Sequence, residues 1–364
     1  MTRPRFDWVL CTASIVLCLV GMVLVGAAAR EPREYLIRQG LSIGLGLALM
    51  VALTFVDHRM LRAYTPVAYL LVCVGLLLVL TPLGRTVNGA RSWIPMLGLQ
   101  LQPSEAAKLA LVLGLATVLS ELADGEHRPR GAQLLMALGV AAVPGGLIAL
   151  QPDMGTVLIL AATAMGAIFL SRVSLGWIFA FVAAGVAAAL LAWQAGLLRP
   201  HQVQRLMAFA EPSNDQLGAG YTAHQALVTI GSGGAFGRGL FNGDQTGGGF
   251  VPEQHTDFVF TVAGEELGFA GAAAILALLA VVLWRGLRIA GRAETAFGTV
   301  AAAGIVCWLG VQAFVNLGMT LGLVPIVGVP LPFVSYGGSA TTAVLIATGV
   351  LQSIHRGSTT LALR

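Results

Sequence analysis

The chain has 364 residues, of which 57% are hydrophobic and only 10% are charged, whereas a soluble domain carries about 25% charged residues. A chain of this length cannot bury so much apolar surface away from water, so its composition excludes a soluble globular protein and indicates one embedded in lipid. The net charge of +4 is small and dispersed along the chain, which argues against nucleic-acid binding.

Apolar runs near 20 residues in length follow one another along the chain. About 30 Å of hydrocarbon needs about 20 residues of helix, so each run predicts a membrane-spanning helix. The predicted spans cover residues 8–29, 37–56, 64–83, 104–122, 131–150, 155–170, 175–193, 258–284, 296–324 and 339–354. We therefore expect an all-α polytopic bundle of about ten transmembrane helices, formed by a single domain over residues 1–364.

Arginines favour one orientation of this bundle. An even number of spans puts both termini on one side, and arginines are more frequent in the loops there than in the short loops opposite, which predicts cytoplasmic termini. The arginines on the side of the termini are Arg3, Arg5, Arg59, Arg62, Arg128, Arg130, Arg172, Arg285, Arg288, Arg292, Arg356 and Arg364. Those in the opposite short loops are Arg30, Arg33, Arg38, Arg85 and Arg91. The long segment 194–256 would then be extracytoplasmic.

The outer segment 84–103 leads into the fourth span with several polar residues. Asn88-Gly89 is typical of a tight turn, and Arg91 could simply anchor the chain at the interface. Ser104 is placed to cap the helix, and Glu105 and Lys108 share one helix face because they are three residues apart. An ordinary cap and salt bridge would explain this pattern. A lysine about one turn inside an apolar span is expensive in lipid, however, which favours a functional pair.

Asp153 stands between the fifth and sixth predicted spans, in the tripeptide Gln151-Pro152-Asp153. It could cap the sixth helix, with Thr156 nearby, because a helix dipole stabilises an anion at its N-terminus. A carboxylate at the membrane surface could also bind a cation or a substrate hydroxyl. The spacing alone does not decide between these interpretations.

A glycine-rich run occupies residues 231–239 of the long outer segment and includes Arg238. Glycines at this spacing let backbone N–H groups approach an anion, and Arg238 would add positive charge. The Walker pattern is absent, so the run does not indicate a nucleotide site. By itself it is more typical of a flexible loop.

Asp257 ends the long outer segment, directly before the eighth span. Its position suits a helix N-cap, but the same carboxylate is also poised to accept a proton or to hold a metal ion. His255 and Glu253 are near enough to assist, although this spacing is weak evidence for a metal site. Glu265 and Glu266 lie farther into the same span, and acids inside a membrane are functional candidates.

The last outer segment, 325–338, contains three prolines and the run Ser335-Tyr336-Gly337-Gly338 but no Arg, Lys, Asp or Glu. Non-helical backbone at membrane depth must line a cavity or be buried in protein. We therefore expect this segment to form a rigid wall of a pocket.

Together these segments resemble the SEDS family of bacterial cell-wall proteins. The resemblance is carried by residues 88–94, 102–105, 151–156, 230–239, 252–258 and 325–340, in the expected order across most of the chain. It implies a peptidoglycan glycosyltransferase that polymerises lipid II, the undecaprenyl diphosphate-linked disaccharide-pentapeptide, at the outer face of the bacterial cytoplasmic membrane. It also implies a class B penicillin-binding protein transpeptidase as partner. The run at 327–340 is more similar to the elongation branch of the family than to its division branch.

The resemblance assigns roles to single residues. Asp257 matches the family's essential aspartate and would act as general base or as ligand of a divalent cation, Mg²⁺ or Mn²⁺. Because the donor leaves as a lipid diphosphate, cationic stabilisation is needed. The cations that could bind the diphosphate are Arg91, Lys108, Arg205 and Arg238, and the other substrate-binding candidates are Glu105, Asp153, Ser335, Tyr336, Gly337 and Gly338.

Two other functions stay open from the sequence. A lipid II flippase would need a path that opens to each side of the membrane in turn, and the short cytoplasmic loops offer little material for a second gate. A scaffold that only recruits a transpeptidase would not need membrane-embedded charges, each of which costs roughly 2.5–3.5 kcal/mol on insertion scales.

Overall fold

The computed structural model describes residues 6–29, 32–87, 90–96, 99–120, 131–170, 175–194, 196, 200–210 and 218–361. Most of them are helical, as the composition predicts. The long helices are α1 (Trp8–Ala28), α2 (Pro32–Thr54), α3 (His58–Leu80), α4 (Pro103–Ser120), α5 (Gly131–Ala149), α6 (Met154–Leu170), α7 (Leu175–Gln194), α12 (Gly268–Arg292), α13 (Ala296–Thr320) and α14 (Gly338–Leu361). The shorter helices are α8 (Pro200–Ala210), α9 (Ala219–Ser232), α10 (Asp244–Gly248) and α11 (Val259–Val262).

Each predicted span coincides with one of the long helices. Within the described residues, seven helical segments are both long and apolar enough to cross a membrane, and α6 is a shorter apolar helix. Three of the long helices, α1, α3 and α13, begin at a residue whose side chain caps the helix rather than at the edge of an apolar run. For example, α3 begins at His58 because the Asp57 carboxylate accepts a hydrogen bond from the backbone N–H of Arg59.

The eighth span is interrupted near its outer end. A short helix α11 is followed by a π-helical turn, Ala263–Leu267, and only then by α12. The turn contains Glu265 and Glu266, whose backbone carbonyl groups accept hydrogen bonds from the neighbouring outer segment. Such π-bulges change the direction in which side chains point and often occur near functional sites.

Helix α13 forms the centre of the bundle. It packs against α4, α6, α12 and α14, and its residues are buried along most of its length, including the side chains of Trp308, Gln312 and Asn316. Helices α2 and α14 also pack extensively against each other, as do α3 and α4. Polar groups on α13 are therefore shielded from both lipid and water.

The outer segment 84–103 contains a small antiparallel sheet that the all-α prediction missed. Strands β1 (Arg85–Val87), β2 (Ala90–Met96) and β3 (Leu99–Leu101) are arranged in that order. Val87 pairs with Ala90, so two residues join the first two strands, and the tight turn predicted at Asn88-Gly89 lies outside the described residues. A turn dipeptide between two short strands is a hairpin signal that the all-α interpretation overlooked.

Candidate functional site

A large cavity of about 1270 Å³ opens at the end of the bundle where the outer segments meet. It exceeds the usual range of ligand pockets, roughly 300–1,000 Å³. Its polar end is formed by the small sheet, by residues 152–156, by the loop before α11 and by the segment 325–340. Its apolar part continues between α2, α3, α4 and α14, where the lining residues include Leu45, Leu71, Val72, Leu109 and Leu113. Leu45 and Leu71 are also largely exposed, so this apolar part is not sealed inside the bundle.

Asp257 lines the polar end of this cavity and is half-buried. Glu253 begins the turn in front of it with a φ of +50°, and the Asp257 N–H donates to the Glu253 carbonyl over 3.0 Å. Burial raises the pKa of Asp257 to about 7, assisted by the negative charges of Glu253 and Asp153 and opposed by Arg205. The prediction that Asp257 caps the next helix is wrong in detail, since Phe258 is the N-cap of α11.

The predicted pair on the fourth span is formed and fully enclosed. The Lys108 Nζ lies 2.6 Å from the Glu105 Oε1, and the two side chains are 1% and 2% exposed. Lys108 also donates to the Gln312 Oε1 over 2.9 Å, and that oxygen accepts from the Trp308 indole. Glu105 lines the cavity, whereas Lys108 lies behind it and is not among the described lining residues. Lys108 therefore orders Glu105 and does not itself face the cavity.

The structure confirms the helix-cap interpretation of Asp153. Its carboxylate accepts from the Thr156 N–H over 3.0 Å and from the Thr156 hydroxyl over 2.8 Å, which is a helix cap at the start of α6. The Gln102 amide also approaches it at 3.5 Å. Asp153, Thr156 and Gln102 all line the cavity, so the cap is part of the site wall.

Two arginines line the cavity on different walls, Arg205 from α8 and Arg38 from α2. Arg205 acts electrostatically on Asp257. Arg38 lies beside Tyr336, where its charge opposes the rise in pKa that burial causes for that phenol. From the sequence, Arg38 was expected only as a loop charge, so its place in the cavity was missed. Arg38, Ser42 and Leu45 follow one stripe of α2, which could have been seen from their helical spacing.

The segment 325–338 forms a wall of the cavity, as predicted. Tyr336, Gly337 and Gly338 line it. Ser335 does not line it among the described residues, because its buried hydroxyl accepts a hydrogen bond from the Leu331 N–H over 2.8 Å and so holds the turn inside the segment. The Tyr336 N–H donates to the His255 carbonyl over 3.0 Å, which joins this wall to the loop that carries Asp257.

The glycine-rich run is not an anion cradle. The N–H groups of Arg238 and Gly239 donate over 3.0 Å to the carbonyls of Glu265 and Glu266 in the π-helical turn, so they are already used. A Cβ at Gly237, where φ is +79°, would lie 2.2 Å from the Glu266 carbonyl oxygen, which explains the glycine there. This run therefore has a structural role, since it is hydrogen-bonded to the π-helical turn at the outer end of the eighth span.

Two of the predicted diphosphate cations lie away from the cavity. Arg238 forms an ion pair with Asp244 and donates to the Ser232 carbonyl over 3.1 Å. Arg91 donates to the Gly84 carbonyl over 3.1 Å and orders the start of the sheet segment. Neither belongs to the described residues that line the cavity. Spacing along the chain carries no distance information that could separate them from Arg205.

The described residues contain no group of three or more His, Cys, Asp or Glu side chains that could hold a metal ion. Burial lowers the pKa of His255, and the negative charge of Glu253 opposes this effect. His255 instead packs edge-on against Tyr35, with ring centroids 4.7 Å apart, in an aromatic cluster that includes Tyr336.

Comparison with known proteins gives the family. The FtsW/RodA/SpoVE family model, described as a cell cycle protein, matches residues 5–360. The chain belongs to this family. It is 37% identical to the peptidoglycan glycosyltransferase MrdB of Escherichia coli (strain K12) over 344 residues, which cover 94% of this chain and 91% of that protein. The resemblance to SEDS proteins is thus confirmed.

Solved structures agree with this assignment and with the polytopic α-helical fold. One chain of a peptidoglycan synthase complex that coordinates polymerization and crosslinking is 32% identical, with a TM-score of 0.82 and coverage of 97% of this chain and 98% of that chain. The rod shape determining protein RodA of Thermus thermophilus is 31% identical, with a TM-score of 0.71 and 97% coverage of both chains.

Proposed function

We propose that this peptidoglycan glycosyltransferase joins lipid II units into glycan strands at the outer leaflet of the bacterial cytoplasmic membrane. The observation that supports the proposal is a single cavity that combines a carboxylate of raised pKa, two arginines and an apolar groove. Polymerisation of a lipid-linked sugar needs a base for the acceptor hydroxyl, positive charge for the diphosphate and an apolar path for the polyprenyl chain.

In the proposed reaction, Asp257 accepts the proton of the acceptor sugar's hydroxyl while that oxygen attacks the anomeric carbon of the donor. The bond between this carbon and the diphosphate breaks, and its electron pair leaves with the diphosphate. A pKa of about 7 suits a base that works near neutral pH. Arg205, which acts electrostatically on Asp257, is placed to stabilise the charge of the departing diphosphate.

The remaining lining residues would hold the substrates. Glu105 Oε2 is buried and has no hydrogen-bond partner among the described residues, so we propose that it accepts a hydrogen bond from the bound substrate. Arg38 and Tyr336 also line the cavity, where they present a cation and an aromatic ring. Asp153, Gly337 and Gly338 complete the polar lining around the sugars.

A divalent cation, Mg²⁺ or Mn²⁺, is proposed to enter with the substrate. Mg²⁺ is often bound largely through substrate phosphates and water, and the described residues do not form a cage of three ligands. When bound, the ion would neutralise part of the diphosphate charge. Mn²⁺ added to lipid-free protein should therefore show no tight binding by electron paramagnetic resonance. Stoichiometric micromolar binding without lipid II would contradict this proposal.

Partner and cellular role follow from the comparisons as proposals. A similar chain comes from a synthase complex that coordinates polymerization and crosslinking, which supports a class B penicillin-binding protein as partner. Similarity to a rod shape determining protein supports a role in cell elongation and rod-shape maintenance. We also propose that both termini are cytoplasmic, in line with the distribution of arginines.

The orientation can be measured with an impermeant thiol reagent in a variant that lacks the four cysteines, Cys11, Cys18, Cys73 and Cys307. Phe236 is highly exposed in the glycine-rich run, so a Phe236→Cys change supplies a label site on the outer segment. We expect labelling from outside intact spheroplasts. Labelling only after permeabilisation would reverse the topology.

The decisive experiment separates a polymerase from a flippase. A flippase product differs from its substrate only in location, so it needs a sealed bilayer, whereas a glycosyltransferase makes a covalent product wherever the lipid can enter the cavity. We expect purified protein in detergent, with lipid II and a divalent cation, to form glycan polymer even when an antibiotic that blocks penicillin-binding transglycosylases is present. If no polymer forms even with the cognate class B partner, while sealed vesicles show lipid II crossing that depends on Asp257, the flippase function is correct.

A further inference from the structure

The buried helix α13 sends an amide side chain to the loop that carries Asp257. Asn316 is fully buried, and its Nδ2 donates to the Asp257 carbonyl oxygen over 2.8 Å. The same Nδ2 donates to the Val329 carbonyl oxygen over 2.7 Å. A single side chain therefore bridges the backbone of Asp257 and the backbone of the segment 325–338.

Both partners of this side chain fix the direction in which its amide points. The two carbonyl oxygens can only accept, so the NH₂ group, which has two donors, must face them. In the reversed amide, Oδ1 would face two oxygens and no bond would form. In the observed direction Oδ1 is buried without a partner among the described residues. An unpaired buried acceptor is unfavourable, so the two bonds to the outer segment outweigh it.

The bridge sets a close contact at the carboxylate. Gly328 directly precedes Val329, and a Cβ built on it would lie 3.2 Å from the Asp257 Oδ2. Its φ of +70° is one that glycine adopts without strain. By tying Val329 and Asp257 to one amide, Asn316 holds the backbone of residue 328 against one side of the carboxylate. Both Gly328 and Asp257 line the cavity.

We propose that Asn316 is a positioning residue, which orients the Asp257 carboxylate by fixing the loop before α11 against the segment 325–338. The proposal rests on the proposed function, because it concerns the base of that reaction. Asn316 does not line the cavity among the described residues, so it acts through Asp257 and not on the substrate. A misplacement of about 1 Å at a reacting group can lower a rate about 10²-fold.

The kinetic signature separates positioning from simple stabilisation. The groups that act on the Asp257 charge are Glu253 from its own loop, Arg205 from α8 and Asp153 before α6, and burial is the largest influence. Without the amide, the segment 325–338 can move away and the carboxylate gains water, so its pKa falls. A variant that is only less stable would contain less active protein. The acid limb of its pH profile, which is the fall in kcat/KM at low pH, would stay at the same pH.

The test is Asn316→Leu in the full chain, assayed as purified protein with its class B partner in detergent with lipid II. Leu keeps the approximate volume and removes both donors. We expect kcat to fall about 10²-fold, KM to stay the same and the acid limb of kcat/KM to move to lower pH. Thr348→Val is the matched control, since Thr348 is also fully buried in a long helix but donates to Val344 within that helix. It should keep the kinetics and pH profile of the unmodified protein.

A second variant keeps the inference testable if Asn316→Leu does not fold. Gly328→Ala leaves the sequence of α13 unchanged, strains the backbone at a φ of +70° and adds a methyl group beside the Asp257 Oδ2, so we expect lower kcat and an acid limb moved to higher pH. If the Asn316→Leu protein folds and its kcat and pH profile are unchanged, the inference is overturned. If the Asn316→Leu protein does not fold, unchanged kcat and pH profile in the Gly328→Ala protein would overturn it. Absence of polymer with the unmodified protein would instead refute the proposed function. Normal turnover by the Asp257→Asn protein would refute the role of Asp257 as the base of the reaction.

Discussion

Asp257 and Glu265 lie close together in sequence, at the outer start of the same span, yet their surroundings differ. The Glu265 carboxylate accepts hydrogen bonds from the N–H groups of Gln245 and Thr246 at 2.8 Å, from the Thr246 hydroxyl at 2.7 Å and from Ser232 at 3.3 Å. Within the described residues, no donor reaches the Asp257 carboxylate, which borders a cavity. One acid is satisfied by the fold, and the other is left for a ligand.

The number of hydrogen-bond donors around a carboxylate separates structural acids from reactive ones better than its location in the membrane does. Both residues fit the rule that an acid near a span is a functional candidate. A carboxylate whose oxygens are saturated by protein donors is held as a stable anion and fixes the groups around it. A carboxylate that is desolvated without such donors keeps its proton to higher pH and can exchange it.

The largest effect is expected for Asp257→Asn. Asn keeps the shape of the side chain but cannot accept the proton, so polymer formation should fall about 10²–10⁴-fold, the range for removal of a general base. Glycan length on gels and the rate of lipid II consumption measure this loss. Normal turnover would exclude Asp257 as the base.

The same variant should not be less stable. The pKa of Asp257 is raised in the folded protein, so the fold binds its proton more tightly than the unfolded chain does, and stability falls as pH rises toward about 7. Above that pH the penalty of the desolvated anion is complete, and Asn removes it. Thermal unfolding at pH 8 should show an equal or higher Tm, and a clearly lower Tm would contradict the contrast with Glu265.

The next effect concerns Glu105 and Lys108, the enclosed charges of α4. Breaking a buried pair by removing one partner typically costs about 3–5 kcal/mol, whereas removing both is often nearly neutral. We therefore expect Glu105→Gln and Lys108→Met each to lower the free energy of unfolding more than the double variant does. A double-mutant cycle measured by denaturation in detergent tests this. Additive effects would show that the two charges are not coupled.

Glu265→Gln should destabilise the protein and leave its chemistry unchanged. Gln presents an NH₂ group to the N–H donors of the outer segment, so buried donors lose their acceptor at a cost of about 1–3 kcal/mol. Glu265→Gln should lower the Tm while the pH profile of the remaining activity stays in place. A moved acid limb would mean that Glu265 also acts on Asp257.

A smaller effect is expected from pH. A base must be deprotonated, so kcat/KM should fall about tenfold for each pH unit below the pKa of about 7. Glu253 raises the pKa of Asp257, so Glu253→Gln should move this acid limb to lower pH. Glu294→Gln, at the turn before α13 on the far side of the bundle, is the charge-matched control and should leave the limb in place. An unmoved limb in the Glu253 variant would show that another group controls it.

Much of the fold could be read from the sequence because a bilayer imposes a simple length rule. Every predicted span coincides with a helix, and Asp257, Asp153, Glu105 and the 325–338 segment meet at one cavity. The sheet was missed because three-residue strands carry little periodicity. Arg38 and Asn316 were missed because their roles depend on contacts between distant segments, such as Asn316 with Asp257 and Val329. Spacing along one helix does not contain that information.

The smallest effect should come from Arg238. It sharpens the comparison between the glycine-rich run, which is structural, and the cavity, which is the candidate site. Its ion pair with Asp244 is solvent-exposed, with side chains 40% and 75% exposed, and such pairs contribute about 0–1 kcal/mol. Arg238→Gln should therefore change the Tm little and leave kcat and KM unchanged. Arg205→Gln is the matched comparison, since Arg205 lines the cavity, and loss of one group that stabilises a leaving charge lowers kcat about 10²–10³-fold. Comparable losses in the two variants would mean that the diphosphate site extends to the glycine-rich run, and that Glu265 supports chemistry as well as structure.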